Sequence, residues 1–533
     1  MSAQRLTLYL LQESISDFED ALDQTKTWKS IEMKQSANLD GRFYYQLPKQ
    51  STPSWTNYIQ PALADQLTGI QSSSTSALLL LRVSGRIFAL TFGYGRSLLN
   101  MAAIELQFGL RVALNSIDSR HISSLDKKNF EDLVVSTNTQ TSKSAELRTF
   151  GVDTTRDILR GVAGTTKDGR ISKRIAGRDS LIISSTEPIA DLPATCERAL
   201  AAFKDDSYKQ EFGWIDDLQL LREKTLISKL DSQLVEHLRD GNQNGAHLAM
   251  PEVIDWEDIK HFTIAGTRDF AYEELDLDSY LEGLGSGAFS ITLDNLKNRG
   301  VSVVYSRTET PDERWTLYRC IVAEERIDEQ LYALIEGRWF AISSTLVSQV
   351  DDFVNTLPSA NITFPAARPG EYESDYNARA ARSSRGELLN LDAKLIRAAG
   401  ATSDIEFCDL LSSSGDLIHI KRKARSSTLS HLFAQGAVSA NTFAIDGEFR
   451  DHVRQVINEI SDPLFKDKWL DIVPPASSTV NRSDYHVTFA VIARPKRTGN
   501  DWIPFFSKLN LMNQSKTLIN LGFKVSITQI PIV

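Results

Sequence analysis

No apolar run in this chain is longer than ALLLL at residues 77–81, which stops at Arg82. A helical membrane span needs about 20 largely apolar residues in a row. Hydrophobic burial must therefore be assembled from strand-length and amphipathic pieces, and no membrane partner is expected. The chain has 533 residues, 41% of them apolar, which is material for several cores and implies more than one domain. Cys196, Cys320 and Cys408 are odd in number, far apart and form no CxxC pair, so a disulfide framework is excluded. The opening MSAQRLTLYLL continues into Glu13 and Asp17 without a small-residue cleavage site. That is not the pattern of a signal peptide, and a cytoplasmic location is expected.

The first third alternates between strand and helix patterns. Residues 6–11 and 43–47 read as strands, 15–22 carry apolar residues at helical spacing, and 77–83 with 86–92 read as a hairpin across Ser84-Gly85. Residues 97–108 read as a helix and 110–114 as a strand, giving an α+β domain over 1–120. The middle, 121–356, is acidic and mixed. A long helical pattern covers 216–238, and antiparallel strands are expected at 301–305, 315–323, 330–335 and 338–342, the last two joined at Glu336-Gly337. Residues 357–370 (LPSANITFPAARPG) hold three prolines and read as a linker.

The last part, 371–533, is the most informative. Residues 371–384 form a helix pattern that is acidic at its start and basic at its end, as the helix dipole prefers. Strands follow at 386–392, 403–411 and 416–423, the last two hinged at the turn 412–415. A helix is expected at 427–435, capped by Ser426 or Ser427 and ended by Gly436. A strand at 485–493, a helix within 505–521 and a strand at 523–530 complete the domain. The fold class is thus α+β and α/β multidomain, with a C-terminal order α-β-β-β-α-β and one extra α-β unit.

Formal net charge is −10, which argues against a nucleic-acid coat over the whole chain. Residues 371–533 hold 20 Lys+Arg against 18 Asp+Glu, so a polyanion is held most easily there. In the strand at 416–423, His419 and Lys421 are two apart and share a face of an ideal strand. Asp409 sits near the end of the paired strand. An acid, a metal-compatible residue and a lysine converging on one sheet end suit phosphodiester hydrolysis. A carboxylate can hold Mg²⁺ or Mn²⁺, and a lysine beside it can orient water and offset negative charge. Glu371, Glu373 or Asp375 on the preceding helix could supply a further ligand, with Glu373 the first choice. Gln435 could hold the lysine or a DNA backbone. Arg422, Lys423 and Arg425 continue from the site as a phosphate track, which Arg494, Lys496 and Arg497 extend.

This element order and the Asp409…His419-x-Lys421 spacing resemble the core of the PD-(D/E)XK nucleases, the restriction-endonuclease-like fold. The resemblance implies that Asp409 is the motif aspartate on the second core strand and Lys421 the lysine on the third. His419 stands where a carboxylate is usual, a departure compatible with Mn²⁺ or with a fold that binds DNA without cutting it. A second resemblance runs along the whole chain. FGYGRSLLN (92–100), FGLRVALNSID (108–118) and residues 405–436 are similar to a sporadically distributed bacterial family of unknown function, and such scattered families often sit in mobile elements and phage-defence loci.

Other motifs read as structural. Ser426, Ser427, Ser430 and His431 lack a nucleophile-elbow sequence, and GVAGTTKDG (161–169) is not a Walker A loop. Residues 156–178 form a second basic stretch, read as a mobile loop or a further polyanion contact. Cys408 reads as a small buried hydrophobe. The residues therefore lead to the expectation of a protein that binds DNA, with cleavage by a divalent metal as its further step, and the family resemblance implies a role in anti-phage defence. The alternative is a non-catalytic nucleic-acid-binding or phage-sensing protein. For the nuclease, the N-terminal and middle domains would sense a trigger, contact a partner or restrain the nuclease; an oligomer is compatible with either reading.

Overall fold

Ser84 and Gly85 both have positive φ, 50° and 75°, the conformation that joins two twisted antiparallel strands with a two-residue turn. The flanking strands pair from Val83↔Arg86 to Ser76↔Gly93. They lie within a ten-stranded sheet of the computed structural model. The structure describes every residue except 1–2, 48–49, 74, 130–135, 153–156, 241–245, 252–258, 268–270, 306–310, 393–394, 398–403, 424–425 and 495–501. One compact unit comprises Met1–Lys128 with Ser136–Ile215, and the other is built on Asp216–Val533.

The strands of the first unit are β1 (Gln4–Leu10), β2 (Lys29–Glu32), β3 (Gly41–Gln46), β4 (Ser76–Val83), β5 (Arg86–Gly93), β6 (Ile117–Asn129), β7 (Ser136–Ala145), β8 (Asp157–Thr166), β9 (Arg174–Gly177) and β10 (Leu181–Ser185). Their order across the sheet is β2-β3-β4-β5-β1-β10-β9-β8-β6-β7. The uninterrupted ALLLL run has a direct cause. Leu79 and Leu81 face a core beneath the helices α1 (Phe108–Ser116) and α2 (Leu192–Lys204), while Leu78 and Leu80 face a second core with Tyr9, Tyr44 and Ile87. A strand covered on both faces need not alternate.

Three expectations of secondary structure are corrected here. Residues 110–114 are helix, not strand. A short buried apolar run does not distinguish the two by pattern, and here Gly109 lets α1 lie directly on the sheet: a Cβ there would come 2.0 Å from the Ser180 carbonyl oxygen. Residues 97–108 are not an α-helix; only a 3₁₀ turn, Gly95–Leu98, forms before α1. Residues 15–22 contain only the 3₁₀ turn Glu19–Ala21, and Ile15, Phe18, Ala21 and Leu22 pack on the second core without a helix. The expected boundary near residue 120 falls on β6, inside the sheet.

Among the described residues, the second unit holds three sheets of three or more strands. β11 (Leu218–Leu220), β12 (His247–Leu248), β16 (Ile321–Ile327), β17 (Gln330–Ile335) and β18 (Arg338–Ile342) form one, in the order β11-β18-β17-β16-β12. β13 (Ile259–Ile264), β14 (Gly300–Tyr305) and β15 (Pro311–Thr316) form another. The strand expected at 315–323 is interrupted by a helical turn, Leu317–Cys320, that separates β15 from β16. The helical pattern at 216–238 forms a helix only over α3 (Lys224–Arg239). Asp231 on α3, 2% exposed, accepts from Tyr318 Oη at 2.6 Å, Trp339 Nε1 at 2.8 Å and Lys297 Nζ at 3.0 Å, so this buried carboxylate is fully engaged. Helix α4 (Ser344–Thr356) leads out, capped by Ser343.

The third sheet follows α5 (Glu373–Ser383). Its strands are β19 (Leu388–Asn390), β22 (Leu410–Ser412), β23 (Asp416–Arg422), β24 (His486–Ala493) and β25 (Lys524–Pro531), lying in the order β19-β22-β23-β24-β25. The first two pairings are antiparallel and the last two parallel. β20 (Leu395–Arg397) and β21 (Asp404–Glu406) form a separate ribbon. Helices α6 (Ser426–Ile445), α7 (Gly447–Ile460) and α8 (Lys466–Ile472) connect β23 to β24, and α9 (Phe505–Asn520) connects β24 to β25. A parallel pair requires such crossovers. Residues 357–370 run beside β25, where Ala367 N donates to the Pro531 carbonyl and Ile527 N to the Pro358 carbonyl. Gly436 does not end its helix. α6 continues for nine further residues to Ile445, and Gly436 instead lies against Phe489 and His419.

Candidate metal and nucleic-acid site

The single strand expected at 403–411 is broken, and the break builds the site. Phe407 and Cys408 are consecutive and both pack into one and the same core, whereas successive residues of a continuous strand point to opposite faces. β21 ends at Glu406 and β22 begins at Leu410. Asp409 stands at the junction. Its backbone N donates to the Ile418 carbonyl at 3.0 Å, and its Oδ2 accepts from Ile420 N at 2.6 Å. The carboxylate thus takes over a ladder bond at the end of β23.

In an unbroken strand Glu406 and Asp409 would face opposite ways. Here they come together with Asp392, which follows β19. One carboxylate oxygen from each of Asp392, Glu406 and Asp409 lies within 4.8 Å of the other two, and all three residues are partly buried. β22 runs antiparallel to both β19 and β23, so the end of β19, the start of β22 and the end of β23 meet at one edge. Burial pushes the Asp409 carboxyl up to about 8, and the neighbouring charges of Glu406, Asp392 and Glu373 act in the same direction against the Ile420 N–H. A partly buried carboxyl among other carboxylates is held short of ionisation until a positive charge joins them.

Glu373, the first residue of α5, borders this group. Its Oε2 accepts from Lys421 Nζ at 2.9 Å and its Oε1 from Arg422 N at 2.9 Å. Asp409, Glu373 and Lys421 are therefore brought to one end of the sheet. His419 is not part of that group. It is 4% exposed, faces α6, and places Nε2 3.3 Å from Ser439 Oγ, with its ring 6.3 Å from that of Phe489. Burial holds its pKa down to about 4, so the imidazole is neutral. The expectation that His419 and Lys421 act side by side is corrected: Lys421 is at the strand end, where its long side chain reaches Glu373, while His419 is packed under a helix. Glu371 pairs instead with Arg379 at 2.7 Å.

The remaining expected contacts scatter. Gln435 is exposed on α6, and the Lys421 amine is held by Glu373 rather than by it. Arg422 Nη2 donates to the Arg368 carbonyl at 3.2 Å. Lys423 Nζ donates to the Trp502 carbonyl, and Arg494 is exposed just past β24. Arg425, Lys496 and Arg497 lie outside the described residues, as does Arg156 of the second basic stretch. Ser426, Ser427 and Ser430 lie within α6. Cys408 is fully buried, and burial raises its thiol well above the usual range.

The sequence reading missed Asp392 and Glu406. The signal for Glu406 was present in the broken in-out pattern of 406–409. Asp392 offered none, because its place depends on the pairing of β19 with β22.

A family model matches residues 6–531. The chain belongs to DUF6119, a family of unknown function. The matched range of this DUF6119 chain includes the segments that carry Glu373, Asp392, Glu406, Asp409 and Lys421. No curated protein and no solved structure matches it. Among the described residues, no helix is long and apolar enough to cross a membrane.

Proposed function

We propose that the last third of this chain is a restriction-endonuclease-like domain that binds DNA and hydrolyses its phosphodiester backbone with a divalent metal. The observation that carries the reading is the carboxylate edge: Asp392, Glu406 and Asp409 within 4.8 Å of one another, with the Glu373–Lys421 pair at 2.9 Å beside them. With the β20–β21 ribbon and helices α7 and α8 set aside, the order α5-β19-β22-β23-α6-β24, with α9-β25 as the extra unit, is compatible with the α-β-β-β-α-β order that the nuclease resemblance implies. Asp409 immediately precedes β22 and Lys421 lies on β23, which supports reading them as the motif aspartate and lysine.

The donor set fits a hard cation. Every ligand atom offered is a carboxylate oxygen, which suits Mg²⁺ or Mn²⁺. With His419 turned away, the carboxylate usual at that position has a counterpart in Asp392 and Glu406. Asp392, Glu406 and Asp409 would hold the metal, with Glu373 at their border. When bound, such an ion polarises a phosphate and acidifies a water. Lys421 supplies a positive charge next to the scissile phosphate and a donor to orient the attacking water. Glu373 fixes that amine, and Arg422 and Arg494 meet flanking phosphates. A role in phage defence is proposed from the scattered distribution of the family that the sequence resembles.

One observation favours a non-catalytic alternative: the Lys421 amine is already paired with Glu373. The test is incubation of plasmid and linear DNA with Mg²⁺ and then Mn²⁺, comparing wild type with Asp409→Ala, Glu406→Gln and Lys421→Ala. Cutting that needs metal and is lost in all three variants is expected. Salt-sensitive binding without cutting would replace the nuclease by a binding protein, and neither binding nor cutting would remove both readings.

A further inference from the structure

β16 carries two consecutive buried glutamates, one committed to each neighbouring layer. Glu325, 3% exposed, meets His237 Nδ1 on α3 at 2.7 Å. Glu324, 9% exposed, points the other way, into the first turn of α9. Its Oε1 accepts from Phe505 N at 2.8 Å and its Oε2 from Phe506 N at 3.1 Å. The first N–H groups of a helix have no partner inside it, and α9 has no side-chain cap of its own. A strand of the middle sheet therefore caps a helix of the C-terminal sheet.

The cap is wired to the carboxylate edge. Lys423 lies close enough to act electrostatically on Glu324, as does Lys508. Lys423 Nζ donates to the carbonyl of Trp502, just before α9, and Lys423 N donates to the Ile492 carbonyl at 2.8 Å. Lys423 is two residues beyond Lys421 and one beyond Arg422, whose N–H is held by Glu373. On the far side, Lys508 Nζ pairs with Asp351 of α4 at 2.7 Å. Among the described residues, the charged groups that act on Glu324 include Lys423 and Lys508 and, through Lys508, Asp351. α9 is buried along most of its length despite carrying Ser507, Lys508, Asn510, Asn513 and Ser515. Leu511 and Leu518 hold it in the apolar core, and Glu324 and Asp351 add polar contacts at its first turn.

We propose that Glu324 is a latch through which the middle sheet, β11 to β18, sets the position of the β23 end that carries Lys421 and Arg422, and so regulates the proposed nuclease site. A trigger that pulled β16 away from α9 would release Phe505, Phe506 and Lys423 together. This rests on the reading of that edge as a metal and DNA site, but the coupling itself can be measured without metal or DNA.

The experiment is hydrogen exchange on the full chain, wild type against Glu324→Gln and, separately, Lys423→Met. In Glu324→Gln, exchange should quicken about tenfold both at residues 505–508 and at 420–423, with β17 still protected as a control for folding. In Lys423→Met, 420–422 should quicken while Phe505 and Phe506, still capped, stay protected. Quickening confined to 505–508 in the first variant, or no change at 420–422 in the second, would reduce Glu324 to a helix cap and overturn the latch. Should Glu324→Gln fail to fold, the Lys423→Met result decides alone. Thermal shift of the wild type by Mn²⁺ is recorded in parallel. No shift there would remove the metal reading of the edge, whatever the exchange shows.

Discussion

Two fully enclosed side chains in the second unit titrate in opposite senses, and each has its own pH window. His419, beside Ser439, is held down to about 4 from 6.5 by burial. Its contribution to stability is complete above pH 6.5 and is lost as pH falls through about 4. Glu324 is pushed up to about 7 from 4.5, first by burial, while the N–H groups of Phe505 and Phe506 and the charges of Lys508 and Lys423 pull the other way. Its contribution is complete below pH 4.5 and is lost as pH rises through about 7. Asp409 is also raised, so wild type alone cannot isolate Glu324. The comparison with Glu324→Gln can: as pH goes from about 6 to about 8, the melting temperature of wild type should fall further than that of the variant. Parallel curves in a pH series of melts would show that the Glu324 carboxyl is already ionised at the lower end.

Among the elements, α6 separates what could be read in advance from what could not. Its start was legible, but its length was not, because Gly436 has the look of a C-cap. In the fold that glycine makes room instead: a Cβ would lie 2.5 Å from Phe489 Cε1 and 3.1 Å from His419 Cδ2. Two effects then compete in Gly436→Ala. Helix propensity favours alanine by about 1 kcal/mol, whereas forcing a methyl into a packed core costs about 1–3 kcal/mol. The contacted ring of Phe489 is fully buried and has little room to retreat, so packing wins. Urea unfolding should show Gly436→Ala destabilised by about 1–2 kcal/mol, and a stabilised variant would mean that β24 yields easily. The same contrast holds elsewhere. β4, β5, β17, β18, β23, β24 and β25 were legible because their alternation or their turn residues are local signals. The helix at 108–116 was not, since its apolar run fits either period, and the break at 407–409 was visible only as a fault in alternation. The carboxylate edge was half legible. Asp409, Glu373 and Lys421 were chosen from chemistry and order, Glu406 was hidden by a strand drawn too long, and Asp392 by pairing over twenty residues. His419 was misassigned because a residue's face of a strand does not tell which layer covers that face.

Across the whole molecule, the charge is partitioned more sharply than the total of −10 suggests. Residues 1–215 carry 25 basic and 24 acidic side chains and residues 371–533 carry 20 and 18, while 216–370 carry 14 and 27. Nearly all the negative charge therefore belongs to the part of the second unit that precedes the proposed nuclease domain. A wide positive field drawing in DNA is ruled out by this distribution, and attraction has to come from a few side chains close to the carboxylate edge. Arg494 is exposed there. Arg422 and Lys423 donate to the Arg368 and Trp502 carbonyls, and the guanidinium of Arg422 keeps further donors for a phosphate. Each phosphate neutralised contributes about −0.9 to the slope of log K against log salt. Measured by titration of the full chain into duplex DNA in Ca²⁺, to hold it uncut, that slope should be between about −2 and −4, and Arg422→Ala should make it shallower by about 1. A slope steeper than about −6 needs more phosphate contacts than this edge can make. DNA would then have to be held on another surface, with the basic stretch at 156–178 the one to mutate next, and the carboxylate edge would lose its place as the centre of the interface.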